Sequence, residues 1–207
     1  MIRLYYIDDH CIITAGFSAL CKAEKSDITV AGTSKSISKA MTDISPDLID
    51  IIILDLHLPD SKPVDNLKAL RDKFPEIPVI ICSCDSSVAW QIAMFMHGAR
   101  AYVNKTYEMN VIFDRIHQVA SGETVIPAGM PGILFTGVSA WQEAALPDEF
   151  LDILLCLSHG LNNKEIGDKL NLTESAVSKK LKTIHACFRV KTNCELVNKV
   201  LTGQIPF

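Results

Sequence analysis

IIILDLHLP, residues 51–59, places three β-branched isoleucines and a leucine in an unbroken apolar run that ends on Asp55. The run is far too short to cross a bilayer. It reads as a strand buried on both faces, the pattern of a parallel sheet with helices on either side. Polarity returns at Asp55, so an acid stands at the carboxyl end of a central strand, on the rim where open parallel sheets bind ligands. An aspartate there can also simply cap the next turn. Its companions elsewhere in the chain decide between the two.

Outward from this strand the texture alternates. Upstream, residues 2–7 are apolar and end on Asp8 and Asp9. Helix-spaced apolars (Ile13, Phe17, Leu20) then fill 10–25, a short strand follows at 28–32, and a helix at 36–44 is stopped near Pro46. Downstream, a polar loop through Pro63 leads to a helix at 64–74, bounded by Pro75. A strand at 79–82, a helix at 86–97 ended by Gly98, a strand at 101–103 and a helix at 107–120 ended by Gly122 complete the series. Strands alternating with helices require right-handed crossovers and a parallel sheet covered on both faces. The expected class is α/β: a doubly wound, five-stranded parallel sheet.

Composition sets the outer bounds. With 207 residues, 48% hydrophobic and 21% charged, the chain has material for one to two globular domains. Seven cysteines without framework spacing suit a reducing compartment, and Cys82 and Cys84, one residue apart, read as small buried hydrophobes rather than metal ligands. Asp8 and Asp9 interrupt the first apolar run too early for a signal peptide, and no apolar stretch is long enough to cross a membrane. The expectation is a cytoplasmic protein. The net charge of −4 is unevenly spread: from Leu146 onward eight bases face seven acids, a net of +1, which leaves −5 for the rest. Residues 179–191 carry five bases and no acid.

In a doubly wound sheet the ends of the first, third, fourth and fifth strands converge on one rim. Here they offer Asp8 and Asp9, Asp55, Ser83 and Lys105. Crowded carboxylates repel one another at neutral pH, and a hard, oxygen-bound dication such as Mg²⁺ relieves the repulsion while accepting a phosphate oxygen. Lys105 adds a positive charge and Ser83 a hydroxyl for a phosphoryl group arriving between metal and lysine. Asp55 is then the nucleophile and an acyl phosphate the product.

These motifs in order (IDDH, LDLHLP, Ser83 after the fourth strand, AYVNK) resemble the receiver domain of response regulators, the phosphoaspartate switch of two-component signalling. The resemblance implies a flavodoxin-like fold in which Asp8, Asp9, Asp55 and the backbone carbonyl of His57 bind Mg²⁺. It also implies that Asp55 takes a phosphoryl group from a sensor histidine kinase, Ser83 and Lys105 grip it, and Tyr102 is the aromatic that rotates on switching. An ordinary strand tyrosine is the alternative for Tyr102, and the His57 ring reads as an exposed loop histidine. Two departures stand out: Asn66 occupies a place where glycine is usual, and Thr106 follows Lys105 where proline or an acid is common.

Proline and glycine break the pattern over residues 124–145, which read as a linker packed in part on a domain, with a short helix starting near Trp141. Residues 146–207 read as all-helical. A helix at 147–159 is ended by Gly160, Asn162 and Glu165 form a capping box for a short helix to Leu170, and Thr173 caps a longer one to Phe188. Val177, Leu181, Ile184 and Phe188 form its apolar stripe, with Glu174, Ser175, Ser178, Lys179 and Lys182 opposite. Short helix, tight turn and basic-faced helix follow helix-turn-helix grammar.

The stretch GLNNKEIGDKLNLTESAVSKKLKTI resembles the LuxR-type (NarL/FixJ-like) DNA-binding domain. The resemblance implies DNA contacts at Ser178, Lys179 and Lys182, a backbone contact at Lys164, and a homodimer paired through a last helix at 193–201. Glu149, Ser178 and Asn193 depart from the usual residues. The organisation expected is a receiver at 1–123, a linker at 124–145 and a DNA-binding domain at 146–207. The expected function is a phosphorylation-controlled transcription regulator, not an enzyme, with a sensor kinase and double-stranded DNA as partners and no membrane. A helical domain that binds protein instead of DNA is one alternative, and a Mg²⁺-dependent phosphohydrolase is another.

Overall fold

A computed structural model of the chain describes residues 1–24, 26–59, 61–127 and 148–202. It divides into two compact units, Met1–Ser86 with Met94–Pro127, and Ser87–Ala93 with Ala128–Phe207. The sheet strands are β1 (Ile2–Ile7), β2 (Ile28–Ser34), β3 (Ile51–Asp55), β4 (Val79–Ser83) and β5 (Ala101–Asn104). The helices along this part of the chain are α1 (Cys11–Ala23), α2 (Ile37–Asp43), α3 (Pro63–Lys73), α4 (Val88–Met96) and α5 (Met109–Ala120). All strands are parallel, in the order β2-β1-β3-β4-β5. The expected doubly wound sheet is therefore present, with β3 at its centre.

Local chemistry sets the element ends. Ser36 accepts the Lys39 N–H and caps α2, and Pro63 sits in the first turn of α3, where its missing N–H costs nothing. Every residue of β3 is buried, and side-chain alternation divides the core. Leu4, Tyr6, Ile51, Ile53, Ile80, Cys82 and Val103 pack with Phe17 and Cys21 of α1 and Ile112, Ile116 and Val119 of α5. Tyr5, Ile7, Ile52, Leu54, Ile81 and Tyr102 alternate with them and are buried as well. Burying each such aliphatic side chain stabilises by about 1.5–3 kcal/mol, which holds the carboxyl ends of the strands in a rigid row.

Asn66 lies inside α3, buried, with its N–H donated to the Lys62 carbonyl, so the missing glycine leaves an ordinary helical backbone. One expectation is corrected. Cys82 is buried, but Cys84 is exposed, because β4 ends at Ser83 and residue 84 turns into the loop.

The helical unit contains α6 (Asp148–Ser158), α7 (Asn163–Leu170), α8 (Glu174–Cys187) and α9 (Asn193–Thr202). Its core gathers Phe150, Ile153, Leu154 and Leu157 of α6, Ile166 of α7, Val177, Leu181 and Ile184 of α8, and Leu196 of α9. Most of the expected linker, including the helix expected at Trp141, lies outside the described residues. No helix among the described residues is long and apolar enough to cross a membrane.

Candidate functional site

Asp8 lies just beyond β1, Asp55 is the last residue of β3, Ser83 the last of β4, and Lys105 follows β5. The Lys105 ammonium bridges two of the acids, 2.8 Å from Asp8 Oδ2 and 2.9 Å from Asp55 Oδ1. Asp8, at 1% exposure, and Asp55, at 4%, are among the few buried polar residues described, so this charge is organised away from bulk water. Asp8, Asp9, His10 and Asp55 each offer one ligand atom within 4.8 Å of the others. The sequence-derived acids are thus brought together with the lysine, and His10 joins them unannounced.

The electrostatics follow from crowding. Burial raises the Asp55 carboxyl above the ordinary aspartate value; Lys105 pulls it back and Asp8 and Asp9 push it further up. Burial alone would lower the Lys105 ammonium, but its hydrogen bonds to Asp8 and Asp55 outweigh that and leave it raised. Three carboxylates against one ammonium leave an excess of two negative charges when all are ionised. Asp8 Oδ2 and Asp9 Oδ1 are buried oxygens, the first held by the Lys105 ammonium at 2.8 Å and the second 2.9 Å from His10 Nδ1. The negative charge in excess of that ammonium is what a further cation would neutralise. The donor set, all carboxylate oxygens apart from His10, can hold a metal ion.

Ser83 and Tyr102 organise the neighbouring loop. Because β3 pairs Asp55 with Cys82, Ser83 stands one residue further along the adjacent strand. Its Oγ accepts the Asp85 N–H at 3.1 Å, and its carbonyl accepts the Lys105 N–H at 2.9 Å. Tyr102 is buried, and its hydroxyl donates to the Asp85 carbonyl at 2.7 Å; burial raises its pKa. The ring is therefore turned in against the loop after β4. His57 is more than half exposed, as expected, but its Nε2 stands 3.5 Å from Asp85 Oδ2. Asp85 thus receives contacts from the loops after β3 and β4 and from β5, a role no sequence spacing announced. Beneath the acids, Tyr6 donates to Cys82 Sγ at 3.3 Å, and burial pushes the Cys82 thiol up to about 11, so it stays protonated.

In the helical unit, Asn162 accepts the Lys164 and Glu165 N–H groups while Glu165 accepts the Asn162 N–H, a complete capping box. Thr173 caps α8 through the Ala176 N–H. Between them Asn171 takes a left-handed conformation at φ 55°. Gly167 is the residue that spacing did not single out: a Cβ there would stand 2.6 Å from the Leu172 carbonyl oxygen, so the tight turn needs a residue without one. The expected stripe Val177, Leu181, Ile184 and Phe188 is buried, while Lys164, Lys179 and Lys182 are exposed and Ser178 is half-buried. Lys180 is not part of the free basic face, since its ammonium lies 5.9 Å from the Phe150 ring centre.

A doubly wound sheet carrying acids and one lysine on its carboxyl rim, on the same chain as a helix-turn-helix, defines a receiver-type signalling regulator. The response regulator receiver domain family matches residues 4–117, and the chain belongs to the response regulators. NarL of Escherichia coli K12, a nitrate/nitrite response regulator, is 27% identical over 198 residues, covering 91% of this chain and 90% of NarL. The transcriptional regulatory protein LiaR of Bacillus subtilis 168 is 29% identical over 187 residues, covering 86% of each chain. The transcriptional activator DevR/DosR of Mycobacterium tuberculosis is 25% identical over 182 residues, 86% of this chain and 83% of its own. Among solved structures, RcsB of Salmonella enterica serovar Typhimurium, bound to promoter P1flhDC in the presence of BeF3⁻, superposes with a TM-score of 0.58. The identity is 20%, with 96% of this chain and 98% of that chain covered, a likeness of fold.

Proposed function

We propose that this chain is a transcription regulator switched by phosphorylation of Asp55, with residues 1–123 as receiver, 124–145 as linker and 146–207 as DNA-binding domain. The observation that carries the reading is the largely buried Lys105 ammonium bridging Asp8 and Asp55 on the carboxyl rim. An Asp55 carboxylate oxygen attacks the phosphorus of a kinase phosphohistidine, the P–O bond forms, the P–N bond breaks, and the imidazole leaves with a proton from solvent. Lys105 neutralises charge on the transferred group, and the Ser83 hydroxyl is one strand end away to donate to it. Asp8, Asp9, Asp55 and the His57 carbonyl would hold Mg²⁺, which supplies charge neutralisation for the phosphoryl oxygens. Tyr102, by its bond to the Asp85 carbonyl, couples the loop after Ser83 to β5.

Lys179 and Lys182 on the exposed face of α8, with Ser178 beside them and Lys164 on the first turn of α7, form the DNA-contacting set. NarL and LiaR are named as regulators and DevR/DosR as a DNA-binding transcriptional activator, and RcsB was solved on a promoter. A homodimer reading two half-sites compensates for the modest number of bases, and the protein works in the cytoplasm alongside its kinase and DNA.

Incubation with acetyl phosphate and Mg²⁺, followed by intact mass, should show one labile adduct that Asp55→Asn abolishes. Mobility shift on the DNA upstream of its own gene should weaken when Lys179 and Lys182 are changed to alanine. An adduct that survives Asp55→Asn refutes the receiver half. DNA affinity unaltered by the two lysine changes turns the helical unit into a protein-binding module.

A further inference from the structure

Helix α8 closes on a residue that its backbone does not favour. The Val190 N–H donates to the His185 carbonyl at 2.9 Å and the Arg189 N–H to the Ala186 carbonyl at 3.2 Å, a closing pair of bonds that puts residue 189 in the left-handed region. Val190 is buried in the helical core, which fixes that exit. Arg189 accordingly sits at φ 49°, where a β-carbon crowds the backbone and glycine does not. The other left-handed residues described are Gly98, Gly122, Gly160 and Asn171, the types that suit the conformation. Arginine at 189 therefore costs stability, and the fold offers no compensating contact. Its side chain is exposed, and among the described residues no ion pair or side-chain hydrogen bond engages it.

We propose that Arg189 binds a phosphate of the DNA backbone at the edge of the major groove, a contact beyond the set Lys164, Ser178, Lys179 and Lys182. The inference rests on the helical unit binding DNA, as in the function proposed above. α8 has 14 residues, a length of about 21 Å, whereas the major groove is about 12 Å wide. With Ser178, Lys179 and Lys182 at the bases, Arg189 lies about 10 Å further along the axis than Lys182, where α8 leaves the groove floor for its phosphate wall. Of the five bases in residues 179–191, Lys180 turns to the Phe150 ring, so Arg189 and Lys191 supply the positive charge at this end. A guanidinium presents a planar fork of donors to two phosphate oxygens and stays charged at any working pH. Such a contact reads no base and strengthens binding equally on every sequence.

Full-length wild type, Arg189→Gly and Arg189→Asn are compared by fluorescence anisotropy over a series of salt concentrations, on the duplex upstream of the protein's own gene and on an unrelated duplex. Both variants should bind each duplex about tenfold more weakly at low salt, and the slope of log K against log salt should shrink by about one. Arg189→Lys should keep the slope. By urea denaturation, Arg189→Gly should be at least as stable as wild type, because the strain is gone, so its weaker binding cannot come from a damaged fold. Unaltered affinity and slope in Arg189→Gly overturn the contact. A loss confined to the upstream duplex overturns its assignment to phosphate, and an Arg189→Gly less stable than wild type overturns the argument from strain. Wild type that binds neither duplex at low salt overturns the DNA reading itself, and this inference with it.

Discussion

Gly167→Ala is expected to destabilise the helical unit, although alanine is the better helix former by about 1 kcal/mol. The added Cβ would meet the Leu172 carbonyl oxygen at 2.6 Å, against about 3.5 Å for an unstrained contact, so the turn must retreat by about an ångström. It is not free to do so. The Gly167 carbonyl accepts the Asn171 N–H and, at 2.9 Å, the Leu172 N–H, and the chain then runs directly into the Thr173 cap of α8. Overpacking against backbone costs about 1–3 kcal/mol, and the two strained hydrogen bonds lose about 1 kcal/mol each if they open. Set against the propensity gain, the net loss is about 2 kcal/mol. For a unit of this size that lowers the midpoint temperature by about 10 °C. Urea denaturation followed through amide signals of α7 and α8 isolates this unit from the sheet. The same displacement tilts α8 and should weaken DNA binding. A variant as stable as wild type, or more stable, would refute the claim that the turn requires a bare α-carbon, because propensity alone predicts that outcome.

Further outcomes are expected. Lys105→Met removes the ammonium between Asp8 and Asp55 and should lower stability most at neutral pH, with recovery on acidification as the carboxyls protonate; a deficit that does not vary with pH would count against the pairing. In the wild type, Asp55 is raised, so the stability tied to its protonated form is present below the ordinary aspartate value and is lost as pH rises through its folded value. Lys105, also raised, contributes stability that is full below the ordinary lysine value and lost as pH climbs through its folded one, a loss seen above about pH 10 by chemical denaturation and missing in Lys105→Met. Tyr102→Phe strips the Asp85 carbonyl of its donor and should cost about 1 kcal/mol while Asp55 still takes its adduct, as thermal melts and intact mass would report. Asn162→Ala removes the acceptor for the Lys164 and Glu165 N–H groups and should cost the helical unit about 1 kcal/mol by urea denaturation.

The strands were readable from sequence to within two residues, because a strand buried on both faces must be continuously apolar and polarity marks its end: Asp8, Asp55, Ser83 and Lys105 are all such ends. The capping residues Asn162 and Thr173 were equally legible, since a cap satisfies backbone groups within three residues of itself. These are local rules, and the order of elements fixed the topology through the handedness of crossovers. What sequence could not contain was distance between residues far apart in the chain. His57 and Asp85 meet across two loops, Tyr102 reaches the Asp85 carbonyl, Lys180 turns from the basic face to the Phe150 ring, and Gly167 is demanded by a carbonyl five residues on in a turn whose path had to be seen. His10 is the sharpest case. Its place beside two acids in the chain is plain, but that its ring stands against those acids and does not cap α1 is decided only in the folded chain.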